Sequence, residues 1–290
     1  MGFEFDLKAF DAMSRETPVL LDLKPSGEHY MEDFDRAGGM ATLLRELKPL
    51  LKLDALTVGG LTLGKQIDAA GPGFAQSVVR PLAAPIYPQG GIAVLWGNLA
   101  PGGALIKQSA AAPALMEHEG RVVVFEDAAD LAARIDDPAL DVNADDILVL
   151  KRIGPKGAPG MPEAGYLPIP RKLARAGVKD MLRISDGRMS GTAFGSIVLH
   201  VTPEAAVGGP LAWVQNGDRI RVSVARRELT LLVSADEMAA RQAARPVVEP
   251  SAERGYRKLF LQCVTQADQG VDFDFLMPAR RTRRIPGHRS

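Results

Sequence analysis

The sequence has a single cysteine, Cys263, among 290 residues. A disulfide within the chain is excluded, and one thiolate cannot supply the several ligands that an iron–sulfur cluster takes. No apolar run approaches the roughly 18 residues that a membrane helix needs. The opening stretch MGFEFDLKAF lacks a basic segment followed by an apolar one, so no secretory leader is predicted. Asp6 stands where a myristoylation pattern begun by Gly2 needs Ser or Thr. Net charge is also missing, because 35 basic residues balance 35 acidic ones. Nothing therefore recruits nucleic acid or an anionic membrane surface. The local excess of Arg280, Arg281, Arg283, Arg284 and Arg289 reads as solvated charge in the tail. These absences point to a cytoplasmic protein.

Several catalytic signatures are absent too. His29, His118, His200 and His288 are scattered, and none pairs at metal-ligand spacing. His200 lies in an apolar run, where a hydrogen-bonded core histidine is expected. No G-x-S-x-G elbow supports a hydrolase triad. Gly59, Gly64 and Lys65 have phosphate-loop spacing, but Gln66 replaces the magnesium-binding Ser or Thr. That stretch reads as a turn before a helix.

What remains is an ordinary globular composition, 46% hydrophobic and 24% charged, with length for one large domain or two. Residues 1 to about 75 read as helices with connections, and Leu43, Leu44, Leu47, Leu50 and Leu51 fall at helical spacing. From about 80 to 233 strands dominate. RVVVFED (121–127), DILVLKRI (146–153) and SIVLHV (196–201) are strands. Three more are read in LAWVQNGDRIRVSVARRELTLLVS, with Asn216-Gly217 as a hairpin turn. Ser234 to Glu237 is a capping box that opens a helix. A final helix is read around GYRKLFLQCVTQADQG. No repeat or low-complexity tract appears.

Three polar loops rich in glycine and proline each follow a strand. WGNLAPGGALIKQS (96–109) carries Asn98 and Lys107. GPKGAPGMPEAG (154–165) presents one carboxylate, Glu163. SDGRMSGTAFG (185–195) carries Ser185, Asp186, Arg188, Ser190 and Thr192. Each alone reads as a surface turn or as part of a binding site. Together they favour a small-molecule site. A serine with no histidine beside it needs another influence, such as a metal ion, to ionise.

The three loops resemble the family of dihydroxy-acid, phosphogluconate and aldonate dehydratases. The resemblance runs from TPVLLDLKPSGEHYMEDFDRAGG to about QADQGVDFDFL. It implies an α+β fold. Residues 1–78 would be the end of an α/β cluster-binding domain, 79–245 a swivelling β-barrel domain, and 246–290 a helical tail. Family members convert 2,3-dihydroxy acids into 2-keto acids. By resemblance, Glu163 is a magnesium ligand and Ser190 is the base, acting as alkoxide at C2. Thr192 would bind substrate, and Ser185, Arg188 and Asn98 are further substrate-binding candidates. The cluster cysteines and the other magnesium ligands are expected in a preceding half that this chain does not contain. Cys263 falls outside the cluster positions and reads as a packing residue. The implied substrate is a sugar acid (aldonate). The alternatives are a branched-chain 2,3-dihydroxy acid, or a non-catalytic module that binds an acid or a partner. An isolated chain is expected to be inactive, and the complete enzyme is expected to form a homo-oligomer.

Overall fold

The structure, a computed structural model, describes residues 5–165, 167–191 and 194–277. It divides into two compact units, one spanning Ala12–Gly91 and the other Met1–Asp11 with Ile92–Ser290.

Helix α1 (Leu7–Glu16) begins in the larger unit. The smaller unit holds α2 (Met31–Arg36), α3 (Gly39–Leu47) and α4 (Leu63–Ala69). The leucines at helical spacing lie on α3 as far as Leu47, and Leu50 ends the 3-10 turn that follows (Lys48–Leu50). α2 and α3 are separated where Gly38 and Gly39 have φ of 90° and 56°. Only glycine takes such angles without steric cost. The core here is modest: Leu20, Phe34, Ala37, Val78 and Val79. α4 follows the phosphate-loop-like stretch, and Thr62 caps it by accepting from the Lys65 amide. This stretch is a helix start, as read.

The larger unit is built on one eight-stranded sheet. Its strands are β1 (Ala93–Leu95), β2 (Gly103–Ile106), β3 (Glu117–Phe125), β4 (Ile147–Leu150), β5 (Arg183–Ser185), β6 (Ile197–Thr202), β7 (Arg219–Ser223) and β8 (Glu228–Leu231). Their order is β1-β2-β6-β5-β4-β3-β7-β8. The central run β3-β4-β5-β6 is parallel and the outer pairs are antiparallel. β4 is ILVL and is fully buried along its length, as expected of a parallel strand covered on both faces. Burying each such side chain contributes about 1.5–3 kcal/mol.

The sheet curls until its ends meet. The Trp96 amide donates to the Arg227 carbonyl at 2.8 Å, and the Leu229 amide donates to the Trp96 carbonyl at 2.8 Å. Gly97 lies so close to this seam that a Cβ there would be 2.1 Å from the Leu229 oxygen. The result is a nearly closed barrel with an apolar interior that includes Leu95, Leu99, Ile147, Ile184, Ile220 and Leu229. Helices α5 (Ala128–Arg134), α6 (Arg171–Arg175), α7 (Ala235–Ala244) and α8 (Gly255–Cys263) complete this unit. The α+β, barrel-like reading therefore holds for the described residues.

One strand assignment needs correction. Leu211–Val214 is not a strand, because Pro210–Trp213 forms a 3-10 turn. Asn216-Gly217 accordingly joins no hairpin; Asn216 Oδ1 instead accepts from the Val124 amide at 2.7 Å. The hairpin lies later, between β7 and β8, and turns through Arg227 at φ 57°.

Candidate active site

The loops after β4 and β5 leave the carboxyl ends of adjacent parallel strands, a common place for ligand sites in such sheets. Two buried carboxylates join their bases. Asp186, directly after β5, accepts from the amides of Arg152, Ile153 and Ala205 at 3.2, 3.0 and 2.8 Å. Complete burial pushes its carboxyl up to about 6, opposed by these amides and reinforced by the nearby Glu204 charge. Glu204, two residues after β6, accepts from the Lys156 and Gly157 amides and from Gln266 Nε2, at 2.8–2.9 Å. Gly154 must be small here, since a Cβ would lie 2.7 Å from Glu204 Oε2.

The outer parts of the loops are joined as well. Arg188 Nε donates to the Met161 carbonyl at 2.6 Å, and its Nη1 to Glu163 Oε1 at 2.9 Å. The Gly165 amide donates to the Arg188 carbonyl at 2.6 Å. Met161 has φ 47°, a left-handed conformation held by the loop around it. Glu163 and Arg188 stay about half exposed, at 50% and 42% of their side chains, so a ligand can reach them.

β6 also serves the serine loop. Its pairing with β2 runs Leu105↔Leu199 and then Gly103↔Thr202, so β6 carries one extra residue there. This bulge puts His200 at φ 54°, and its amide donates to the Gly187 carbonyl at 3.1 Å instead of to β2. Bulges commonly re-aim residues in this way. Burial, and then the Arg188 charge, push the His200 imidazole below its ordinary value. It is a half-buried residue of a strained bulge, and not the plain core histidine expected.

The predicted residues thus separate into two groups. Glu163 and Arg188 meet directly, and Ser190 lies two residues beyond Arg188, half-buried. Thr192 lies outside the described residues. Ser185 is fully buried, and its Oγ accepts from the Gly187 amide at 3.0 Å. Asn98 spends its amide on the barrel seam, donating to the Leu231 carbonyl and accepting from the Leu231 amide, both at 2.8 Å. Asp186 was noted only as a loop residue and Glu204 was missed. A carboxylate right after an apolar strand was the available signal for Asp186; Glu204, behind Thr202-Pro203, has no such local signal.

The metal chemistry implied by the resemblance can be tested against the donors present. A magnesium ion takes about six oxygens. Among the described residues no three His, Cys, Asp or Glu side chains converge, and Glu163 already pairs with Arg188. Glu163 is a suitable hard ligand, but the described residues do not make a magnesium site by themselves. Cys263 lies alone on α8, with its thiol pushed up by burial and then by the adjacent Asp274. A cluster does not fit there.

Comparison with known proteins places this geometry. The family model for the dihydroxy-acid/6-phosphogluconate dehydratase C-terminal domain matches residues 77–271, and the N-terminal one matches 1–66. The chain belongs to the dihydroxy-acid/6-phosphogluconate dehydratase family. Similar members of the family include an L-arabonate dehydratase of Azospirillum brasilense, 46% identical over 99% of this chain and 51% of the relative. A 6-deoxy-6-sulfo-D-gluconate dehydratase of Pseudomonas putida is 47% identical, over 99% of this chain and 50% of the relative. A dihydroxy-acid dehydratase of Dehalococcoides mccartyi is 41% identical over 94% of this chain and 48% of the relative. The chain spans about half the length of the curated relatives it matches. No helix among the described residues is long and apolar enough to cross a membrane.

Proposed function

We propose that this chain provides the swivelling barrel and the serine side of the active site of a sugar-acid dehydratase. The reaction removes water from a 2,3-dihydroxy acid. The C2 proton goes to a base, the C3 hydroxyl leaves as water, and the resulting enol becomes a 2-keto-3-deoxy acid. Ser190 is the base in this reading. Serine is weakly basic at neutral pH, so its proton must be lost in a setting that favours negative charge. Glu163 would be one of the residues holding a magnesium ion, which would supply positive charge favouring ionisation of the serine and of the C2–H bond. Arg188 holds Glu163 in place in the absence of that metal, and Thr192 binds substrate. The departure of the C3 hydroxyl is assigned to the other half of the family architecture, where the iron–sulfur cluster is expected.

One observation carries the proposal. Arg188 joins the two loops, so Glu163 and Ser190 are held on a single hydrogen-bonded unit. Small displacements of catalytic groups are costly, and a joined pair of loops resists them. A sugar acid is favoured over a branched-chain acid by the relatives. Those named for sugar-acid substrates are 45–47% identical, against 39–41% for the dihydroxy-acid enzymes. The same reading gives the chain a cluster-bearing partner half and a homo-oligomeric complete enzyme.

The test is 2-keto acid formation from a panel of aldonates and 2,3-dihydroxy-isovalerate, with magnesium and without oxygen. The expected result is no turnover by this chain alone and turnover of an aldonate once the family's N-terminal half is supplied. Turnover of the branched-chain acid only would move the substrate assignment. Aldonate turnover unaffected by Ser190→Ala would remove the serine from its role.

A further inference from the structure

The serine loop has a second neighbour that the proposed chemistry leaves unused. Lys107 follows β2 and extends its Nζ to the carbonyl of Gly191, next to Ser190, at 2.9 Å. The contact belongs to a seated segment. Ala110 accepts from the Gly195 amide, and the Ala112 amide donates to Ser196 Oγ, both at 3.0 Å. Residues 107–112 therefore meet Gly191, Gly195 and Ser196, and these contacts fix where the lysine stem begins. No ion pair to Lys107 occurs among the described residues, whereas Arg188 of the serine loop pairs with Glu163, and Arg183 of β5 with Asp180. Burial pushes the Lys107 ammonium below its ordinary value. A half-buried ammonium held mainly by a carbonyl dipole is suited to negative charge that appears only during a reaction.

The acids at the base of this loop, Asp186 and Glu204, are tied to backbone amides and, for Glu204, to Gln266. Arg188 and Glu163 offset one another, and His200, from β6, is held toward its neutral form. Among the described residues, Lys107 is a cation without an ion pair that approaches the loop from the β2 side.

We infer that Lys107 is a positioning and electrostatic residue for Ser190: its ammonium fixes the Gly191 end of the loop and favours the serine alkoxide over the hydroxyl. This rests on the reading of Ser190 as the base. The proton balance closes over one cycle. Negative charge grows on the Ser190 oxygen as its proton passes to solvent, the C2 proton replaces it there, and the departing C3 hydroxyl takes up a solvent proton to leave as water, while Lys107 contributes its charge and no proton. At an effective dielectric near 20, a unit charge within roughly 6–10 Å shifts a neighbouring acid by about one to two pK units.

The test reads this coupling without turnover, in the chain as it stands. Ser190→Cys places a thiol at the same position, and its alkylation by iodoacetamide is followed against pH. Cys263 is the internal reference, resolved by peptide mass. The Ser190→Cys thiol is expected to titrate below the usual value of about 8.5. Adding Lys107→Met or Lys107→Gln is expected to raise it by about one unit, and Lys107→Arg to keep it low. Circular dichroism and melting of each variant show that the barrel is intact. An unchanged thiol titration in both neutral variants, with the fold intact, overturns the inference. Failure of the underlying reading appears elsewhere, as turnover that survives Ser190→Ala in the assembled enzyme. The two outcomes are therefore separable.

Discussion

The two ends of the paired loops differ sharply. At the base, Asp186 and Glu204 are almost completely buried; Asp186 takes amide hydrogens from Arg152 and Ile153 just after β4, and Glu204 from the Gly/Pro loop. At the tip, Glu163 and Arg188 are about half exposed and bind mainly each other. The same charged side-chain chemistry is thus used in opposite ways. Buried carboxylates fix the backbone, and exposed ones remain able to change partner. Charge removed from water without partners is costly, whereas charge left in water contributes little stability. A site that must exchange a protein ion pair for a ligand needs the second arrangement at its tip and the first beneath it.

Substitutions should separate the two ends. The largest effect is expected for Glu204→Ala, which strands the Lys156 and Gly157 amides and the Gln266 side chain. It should cost about 3 kcal/mol or more in urea unfolding. A loss below about 1 kcal/mol would mean that the base is not rigidly held.

Next comes Asp186→Asn, whose effect depends on pH. The Asp186 carboxyl is raised in the folded state to about 6, from an ordinary value of 3.8. A raised acid contributes stability that is fully present below pH ~4 and is lost as pH rises through about 6. The stability difference between wild type and Asp186→Asn should therefore be larger at pH 4.5 than at pH 7.5. The change is limited to about 3 kcal/mol by the size of the shift. Urea titrations at both pH values check the sign, and a difference that grows with pH would contradict it.

Ser185→Ala removes one buried hydrogen bond to the Gly187 amide and should cost about 1 kcal/mol. Glu163→Gln, at the tip, should change stability by less than about 0.5 kcal/mol. In the assembled enzyme the same substitution should abolish most turnover. A large stability loss for Glu163→Gln would remove the contrast between base and tip.

Much of this arrangement was legible from local pattern. The apolar runs of β3, β4 and β6 mark themselves, and glycine and proline mark the loops. Glu163 and Arg188 stood out because one is the single acid and the other the single base on its loop of mostly small residues. Long-range roles were harder to read. Asn98 looks like a ligand-binding amide, but its complementary donor and acceptor match the Leu231 backbone, which lies 133 residues away in the chain. Leu211–Val214 has strand-like composition, yet Pro210 starts a 3-10 turn there. Glu204 follows Thr202-Pro203 and reads as a solvated turn acid. Only the adjacency of β6 and the Gly/Pro loop, set by sheet order, supplies its partners.

The barrel seam has its own consequence. β1 and β8 would be free edges if the sheet did not close, each offering unpaired backbone groups to another molecule. Closure rests on the rungs at Trp96 and on the Asn98 amide, which acts as one more rung made by a side chain. Gly97 lies between them, where any larger residue would push against Leu229. Substitution there would open two adhesive borders at once, so the solubility of this protein, as much as its fold, depends on a position occupied by a hydrogen atom.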